Sequence, residues 1–271
     1  MGVSKSGFLA WRQRAPSRRA LEDARLAKLI EDVHEGSLGV YGAPRIHVEL
    51  REAHGVRVGR KRVARLMREK GIQGVHRRRQ GSPLDPGARE PVYDDLVRRD
   101  FSADAPDKVW VADLTQHRTK EGWLYLAAVM DVFHRRIVGW SMGRHMQTEL
   151  VVDAVEMAVT NRRPAPGLVH HSDRGSQYGS LVFGQRLTRS GIVGSMGSKG
   201  DAYDNAAMES FFATLQTELL DRREWETVAE LESAIFHFIE VFYNRKRRHS
   251  SLGYVSPAEY ETRYAQRKAA A

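Results

Sequence analysis

Three carboxylates stand in settings where an acid needs a reason: Asp113 in "VWVADLT", Asp173 in "HHSDRGSQYGS" and Glu209 in "GDAYDNAAMESFF". An Asp before Arg-Gly-Ser commonly bonds its own backbone in a turn. An Asp amid Val, Trp and Leu is harder to set aside, because strands disfavour it and burying it unpaired is costly; a metal or a buried Arg relieves it. Glu209 can be placed by helix geometry. On a helix Met208, Phe211, Phe212, Leu215 and Leu219 form one apolar stripe, and Glu209 falls at its border, about 100° round from Met208. Asp204 would fall inside the stripe and reads better as an N-cap, with Asn205 competing; Asp201 reads as a solvated turn residue. Carboxylates from three elements that would repel one another make sense around divalent cations. Hard oxygen ligands without Cys or paired His favour Mg²⁺ or Mn²⁺ over zinc. Two such ions about 4 Å apart activate a water or sugar hydroxyl on one side of a phosphorus and steady the leaving oxygen on the other. The chemistry implied is phosphodiester cleavage or transfer.

The elements that carry these acids follow from patterning. "KVWVADLT", "WLYLAAVMDV" and "RRIVGWSM" are rich in Val, Ile, Trp and Tyr, bounded by turn residues and spaced as three consecutive strands. A helical stretch over 147–162 and a fourth strand, "GLVHHSD", follow. Then come a helix across 180–190, a short strand "GIVGSM" and a long helix over about 205–220. That order predicts a mixed sheet with helices packed on it, an α/β class. Asp113 then lies within a strand and Asp173 ends one, where α/β sheets gather functional groups. Trp110, Trp123 and Trp140 fall in strands and read as core rather than base-stacking platforms. Adjacent His170 and His171 would point to opposite faces of a strand, which argues against shared metal ligation.

The front of the chain is different in charge. Of 43 Lys+Arg and 34 Asp+Glu, residues 1–100 hold 22 and 13, leaving 21 of each for the rest, so the whole +9 excess sits in the first third. That placement suits a segment tracking a phosphate backbone. The opening "MGVSKSGFLAWRQRAPSRR" reads as a basic arm. Ser17 is placed to cap a helix carrying Leu26, Leu29, Ile30 and Val33 and ending near Gly36. Pro44 starts a second helix with Ile46, Leu50 and Ala53. "GVRVG" turns the chain into a third helix, with Val63, Leu66 and Met67 inward and Gly71 closing it. Two short amphipathic helices about a glycine-bearing turn describe a helix-turn-helix. Its second helix exposes Arg60, Lys61, Arg62, Arg65, Arg68 and Lys70, with Glu69 the only acid at hand, which suits a helix laid against double-stranded DNA.

The divisions expected are a basic arm and helix over 1–38, a helix-turn-helix domain over 39–75 and a linker over 76–103. A catalytic core over 104–222 and a helical and basic tail over 223–271 complete the chain. The chain has no cysteine, which excludes disulfide scaffolds and thiol nucleophiles, and no apolar run approaches a membrane span. A cytoplasmic, nucleoid-associated location and no membrane partner are expected.

The order "ADLT", "HSDRGSQY" and "SKGDAYDNAAMESFF", with Glu209 36 positions after Asp173, resembles the D,D(35)E core shared by retroviral integrases and bacterial transposases. "MDVFHRRIVGWSM", "YNRKRRHSSLGYVSPAEYE" and "YGAPRIHVEL" narrow the resemblance to the second-reading-frame subunit, OrfB, of insertion-sequence transposases of the IS-three group. What this implies is a ribonuclease-H-like fold whose Asp113, Asp173 and Glu209 bind two Mg²⁺. It implies a DNA transposase that frees a 3′ end with water and then transfers that strand, without a covalent enzyme-DNA intermediate. Lys199, ahead of the Glu209 helix, would touch DNA near the scissile phosphate, and Arg245, Lys246, Arg247 and Arg248 form a further DNA-contacting cluster. A homo-oligomer on DNA is implied. So is an upstream-frame OrfA partner or fusion, because sustained heptads are missing from this chain. Two other readings compete: a catalytically silent DNA-binding regulator of transposition, and an RNase-H-like nuclease without strand transfer. A tyrosine-recombinase reading of Tyr243 fits less well than the three acids.

Overall fold

A computed structural model of the chain describes residues 4–76, 92–98, 100–197 and 206–270. The chain forms two compact units that divide between Val75 and His76.

In the first unit, α1 (Lys5–Gln13) begins at Ser4, whose hydroxyl accepts from the Gly7 N–H at 3.1 Å. The opening stretch is thus a short capped helix where an arm was expected, with Phe8, Leu9 and Trp11 exposed. Ser17 caps α2 (Arg18–Gly36) as its position predicts, accepting from Ala20 at 3.2 Å. Leu26, Ala27, Ile30 and Val33 of α2 turn inward and meet Ile46, Val48 and Leu50 of α3 (Ala43–Glu52) and Val63, Leu66 and Met67 of α4 (Arg60–Glu69). Ala53 is exposed at the end of α3. The Ile72 N–H reaches back to the Met67 carbonyl at 2.8 Å across Gly71, whose φ of 68° suits glycine. The connection between α3 and α4 is longer than a tight turn. It is pinned by Val56 N–H to Leu50 O, 2.8 Å, and by His47 Nε2 at 2.9 Å from Val58 O.

The second unit is built on a five-stranded sheet in the order β3-β2-β1-β4-β5. Its strands are β1 (Val109–Thr119), β2 (Gly122–Asp131), β3 (Arg136–Gly143), β4 (Val169–Ser172) and β5 (Val193–Met196). The first three pair antiparallel as a meander, and β4 and β5 add parallel to β1. Side chains alternate across this sheet. Trp110, Ala112, Ala127, Val129 and Val138 face α5 (Thr148–Arg162) and α6 (Leu181–Arg189), making one core layer. On the sheet's other side α7 (Ala206–Glu218) packs against β1 and α8 (Val228–His237) against β2. Gly139 shows how close α5 lies, since a Cβ there would stand 2.1 Å from the Ala154 carbonyl oxygen.

Two parts of this unit differ from sequence expectation. Residues 92–98, within the stretch read as linker, lie along the edge strand β5. The Leu96 N–H donates to Ser195 Oγ at 3.0 Å, and the Tyr93 ring covers Gly194 so closely that a Cβ would meet it at 2.8 Å. The strap covers backbone that an edge strand would otherwise expose. Trp123, expected in the core, is 43% exposed, with the Arg118 guanidinium 5.9 Å from its ring centre.

After α8 the helix widens into a π-helical stretch (Phe238–Tyr243), which turns Phe238, Ile239, Phe242 and Tyr243 all inward. The Asn244 side chain then pairs with the β3 backbone, accepting from Ile137 N–H and donating to Ile137 O, each at 2.9 Å. α9 (Pro257–Ala270) docks through Glu261, which binds Arg136 at 2.6 Å and also Arg162. Its Tyr260 and Tyr264 pack on Phe133.

Candidate active site

Asp113 sits in the central strand β1, opposite Ala128 of β2. Its Oδ1 accepts from the Leu114 N–H at 2.7 Å, and the residue keeps partial solvent exposure. Burial, then the charge of Asp173, then that of Glu209 push its carboxyl up to about 7; only the Leu114 hydrogen bond opposes them. β4 lies beside β1 in parallel, with Ala112 opposite Ser172, so the residue after Ser172 emerges beside Asp113. That residue is Asp173, exposed, its Oδ1 accepting from the Gly175 N–H at 3.0 Å. The turn-forming reading of this Asp therefore holds, and the turn fixes the carboxylate at the strand's end. Glu209 is exposed in the first turn of α7 while Met208, Phe211 and Leu215 are buried, as the helix stripe predicts. Asp201, Asp204 and Asn205 lie outside the described residues.

Three elements thus bring three acids into one another's electrostatic field. The donor set is all carboxylate oxygen, which suits a hard divalent cation. Among the described residues, no three acid or imidazole side chains are close enough together to enclose a metal ion as they stand.

The basic residues divide sharply. Arg60, Lys61 and Arg68 are exposed on α4. Arg62 and Arg65 are not the unopposed cations expected, because Asp23 of α2 bonds both, at 2.6 Å each. Lys70 pairs likewise with Glu31 at 3.0 Å. Lys199 lies outside the described residues. Arg245 and Lys246 are exposed after the π-helical stretch, but the other half of that cluster is a correction. Arg247 is buried and forks onto both oxygens of buried Glu218, at 2.7 Å each. Arg248 is buried and donates to the Tyr254 carbonyl at 2.9 Å. These two arginines hold the tail to the core and are not presented to DNA. Nothing in a run of four basic residues distinguishes the two that turn inward.

The histidines behave as strand alternation predicts. His170 is enclosed by Tyr178 and Phe183, and burial pushes it down to about 3, so it is neutral. His171 lies on the other face, its Nδ1 2.9 Å from Ser195 Oγ. Tyr243 is buried against Phe211 and His249, and burial raises its hydroxyl to about 12, unlike an available nucleophile.

Comparison with known proteins agrees with this architecture. Residues 20–80 match the family "HTH-like domain", and residues 103–202 and 190–257 match two families described as "Integrase core domain". The chain is 43% identical over 265 residues to the "Insertion element IS600 uncharacterized 31 kDa protein" of Shigella sonnei, covering 98% of this chain and 97% of that one. It is 42% identical to the "Transposase for insertion sequence element IS904" of Lactococcus lactis, covering 92% and 98%. It is 38% identical to the "Transposase InsF for insertion sequence IS3A" of Escherichia coli, covering 96% and 91%. Among solved structures, a simian T-cell lymphotropic virus intasome chain superposes with a TM-score of 0.50 at 14% identity, over 87% of this chain and 73% of that one, a likeness of fold. Matching end to end, through both the helix-turn-helix and the integrase core, the chain belongs to the IS3-type insertion-sequence transposases and is a DNA transposase of the DDE polynucleotidyl-transferase class.

Proposed function

We propose that Asp113, Asp173 and Glu209 are the catalytic acids of this transposase and that together they hold two Mg²⁺, for which Mn²⁺ substitutes. The observation that carries this reading is the mutual field of the three groups: burial and two neighbouring carboxylates hold Asp113 near 7. Such crowding suits cation binding, because a bound cation favours the ionised form of all three acids at once. Bound there, the ions supply an activated water or 3′ hydroxyl and a counter-charge for the leaving oxygen. The chain's own contributions are positional. The Leu114 N–H fixes one Asp113 oxygen, the Gly175 N–H fixes one Asp173 oxygen, and the buried stripe of α7 holds Glu209 outward. The reaction proposed is 3′-end cleavage followed by strand transfer. In the first unit Arg60, Lys61 and Arg68 contact the DNA backbone; Lys199 and Arg245 are proposed to contact it near the core.

The test uses DNA bearing the element's own ends, with Mg²⁺, with and without the upstream-frame protein. Strand-transfer products from the wild type, lost in Glu209→Gln while DNA binding persists, support the reading. Hydrolysed ends without transfer would mark a nuclease instead, and binding with no metal-dependent product would overturn the assignment of all three acids.

A further inference from the structure

Beyond Asp173 the chain turns through "RGSQY", and the turn delivers Tyr178 into the core layer that holds Trp110, Ala112 and Phe183. The Tyr178 N–H closes the turn on the Gly175 carbonyl at 3.1 Å. Its side chain is 1% exposed, and its ring stands edge-on to Phe183 at 5.4 Å between centroids. Gly175 shows how tightly the turn folds this ring against the acid. A Cβ at Gly175 would lie 3.0 Å from Asp173 Oδ1 and 3.5 Å from Tyr178 Cδ2, so Gly175 is flanked by both the carboxylate and the ring edge.

Among the described residues the hydroxyl at the far end of that ring has no hydrogen-bond partner, although it is fully enclosed. A tyrosine used only for packing gains nothing from such a group, since phenylalanine fills the same volume without an unsatisfied polar atom. His170, its neighbour, does not take the proton; among the described residues both of its ring nitrogens are also without partners. Burial first, then the charges of Asp113 and Asp173, keep the phenol in its protonated, donating form.

We propose that Tyr178 is a positioning residue for the acid pair: its buried hydroxyl donates to the Asp113 and Asp173 carboxylates in the cation-bound state and fixes which oxygens they turn to the cation. The inference rests on the assignment of those acids above. Residues that orient metal ligands in this way commonly change metal affinity by about 10- to 100-fold when removed.

The test is Tyr178→Phe in the full-length protein, with Glu209→Gln alongside, read by Mn²⁺ titration (electron paramagnetic resonance of free Mn²⁺) and by the thermal midpoint with and without metal. The expected result is a metal-free midpoint equal to or above wild type and unchanged DNA affinity. Mn²⁺ affinity should weaken at least tenfold, and the Mg²⁺ needed for half-maximal strand transfer should rise in parallel. Wild-type Mn²⁺ affinity in Tyr178→Phe would overturn the proposal. So would a fall in the metal-free midpoint with weaker Mn²⁺ binding, because the hydroxyl would then be holding up the fold. If wild type binds Mn²⁺ and Glu209→Gln does not, the acid assignment stands whatever Tyr178→Phe does; if Glu209→Gln binds as well as wild type, it is the acid assignment that fails.

Discussion

If three acids crowd one another as described, removing the charge of one should stabilise the metal-free protein, and only at the pH where that charge exists. Asp113→Asn is the clean perturbation, because the amide oxygen can still accept from Leu114 N–H. The wild-type carboxyl is raised from 3.8 to about 7. For an acid whose folded pKa lies above its unfolded one, the folded state holds the proton more tightly. The penalty is therefore absent below about pH 4, grows between the two values and is fully present above about 7. A rise of about three pH units at roughly 1.4 kcal/mol each sets a ceiling of about 4 kcal/mol, and partial solvent screening of Asp113 brings the expectation to about 2 kcal/mol. For a unit of this size that is a rise of about 4–8 °C in the unfolding midpoint at pH 8 in EDTA. The rise should shrink to nothing at pH 4. Tryptophan fluorescence is the assay, since Trp110, Trp123, Trp140 and Trp225 lie in the catalytic unit and only Trp11 does not. Adding Mg²⁺ should reverse the order, stabilising wild type and leaving the Asn variant unmoved. A gain of equal size at pH 4 and pH 8, or no gain at pH 8, would refute the crowding on which the site assignment rests.

Two further outcomes are expected from the cationic residues. Glu218→Ala removes the carboxylate that balances buried Arg247 and should lower stability by about 3–5 kcal/mol in urea unfolding, with much of the loss recovered when Arg247→Leu is added. In the first unit, Arg60→Ala with Lys61→Ala should reduce the salt slope of DNA binding by about 2, roughly one for each phosphate no longer neutralised, whereas Arg62→Ala should leave that slope unchanged because Asp23 already holds the guanidinium.

The sequence by itself determined the mixed sheet, its strand order along the chain and three of the four helices of the first unit. These follow from local signals: strand runs bounded by turns, a serine before an apolar helix face, a glycine after it. It also determined that Glu209 would sit beside a packing stripe, since 3.6-residue periodicity fixes angle without any knowledge of neighbours. Tertiary structure decided what lay across from each charge. Glu218 falls about 80° from Met208 on the other border of the stripe that Glu209 flanks, so periodicity alone makes the two glutamates equivalent. One faces the field of Asp113 and the other meets Arg247 in the buried interior. The same holds for Arg62 and Arg65, whose acid partner stands some 40 residues earlier, and for Tyr178, whose enclosed hydroxyl feels the charges of Asp113 and Asp173 only because the turn after β4 carries it into their field. Pairing energies depend on distance and local dielectric, and both are set by which elements pack together rather than by residue type or spacing.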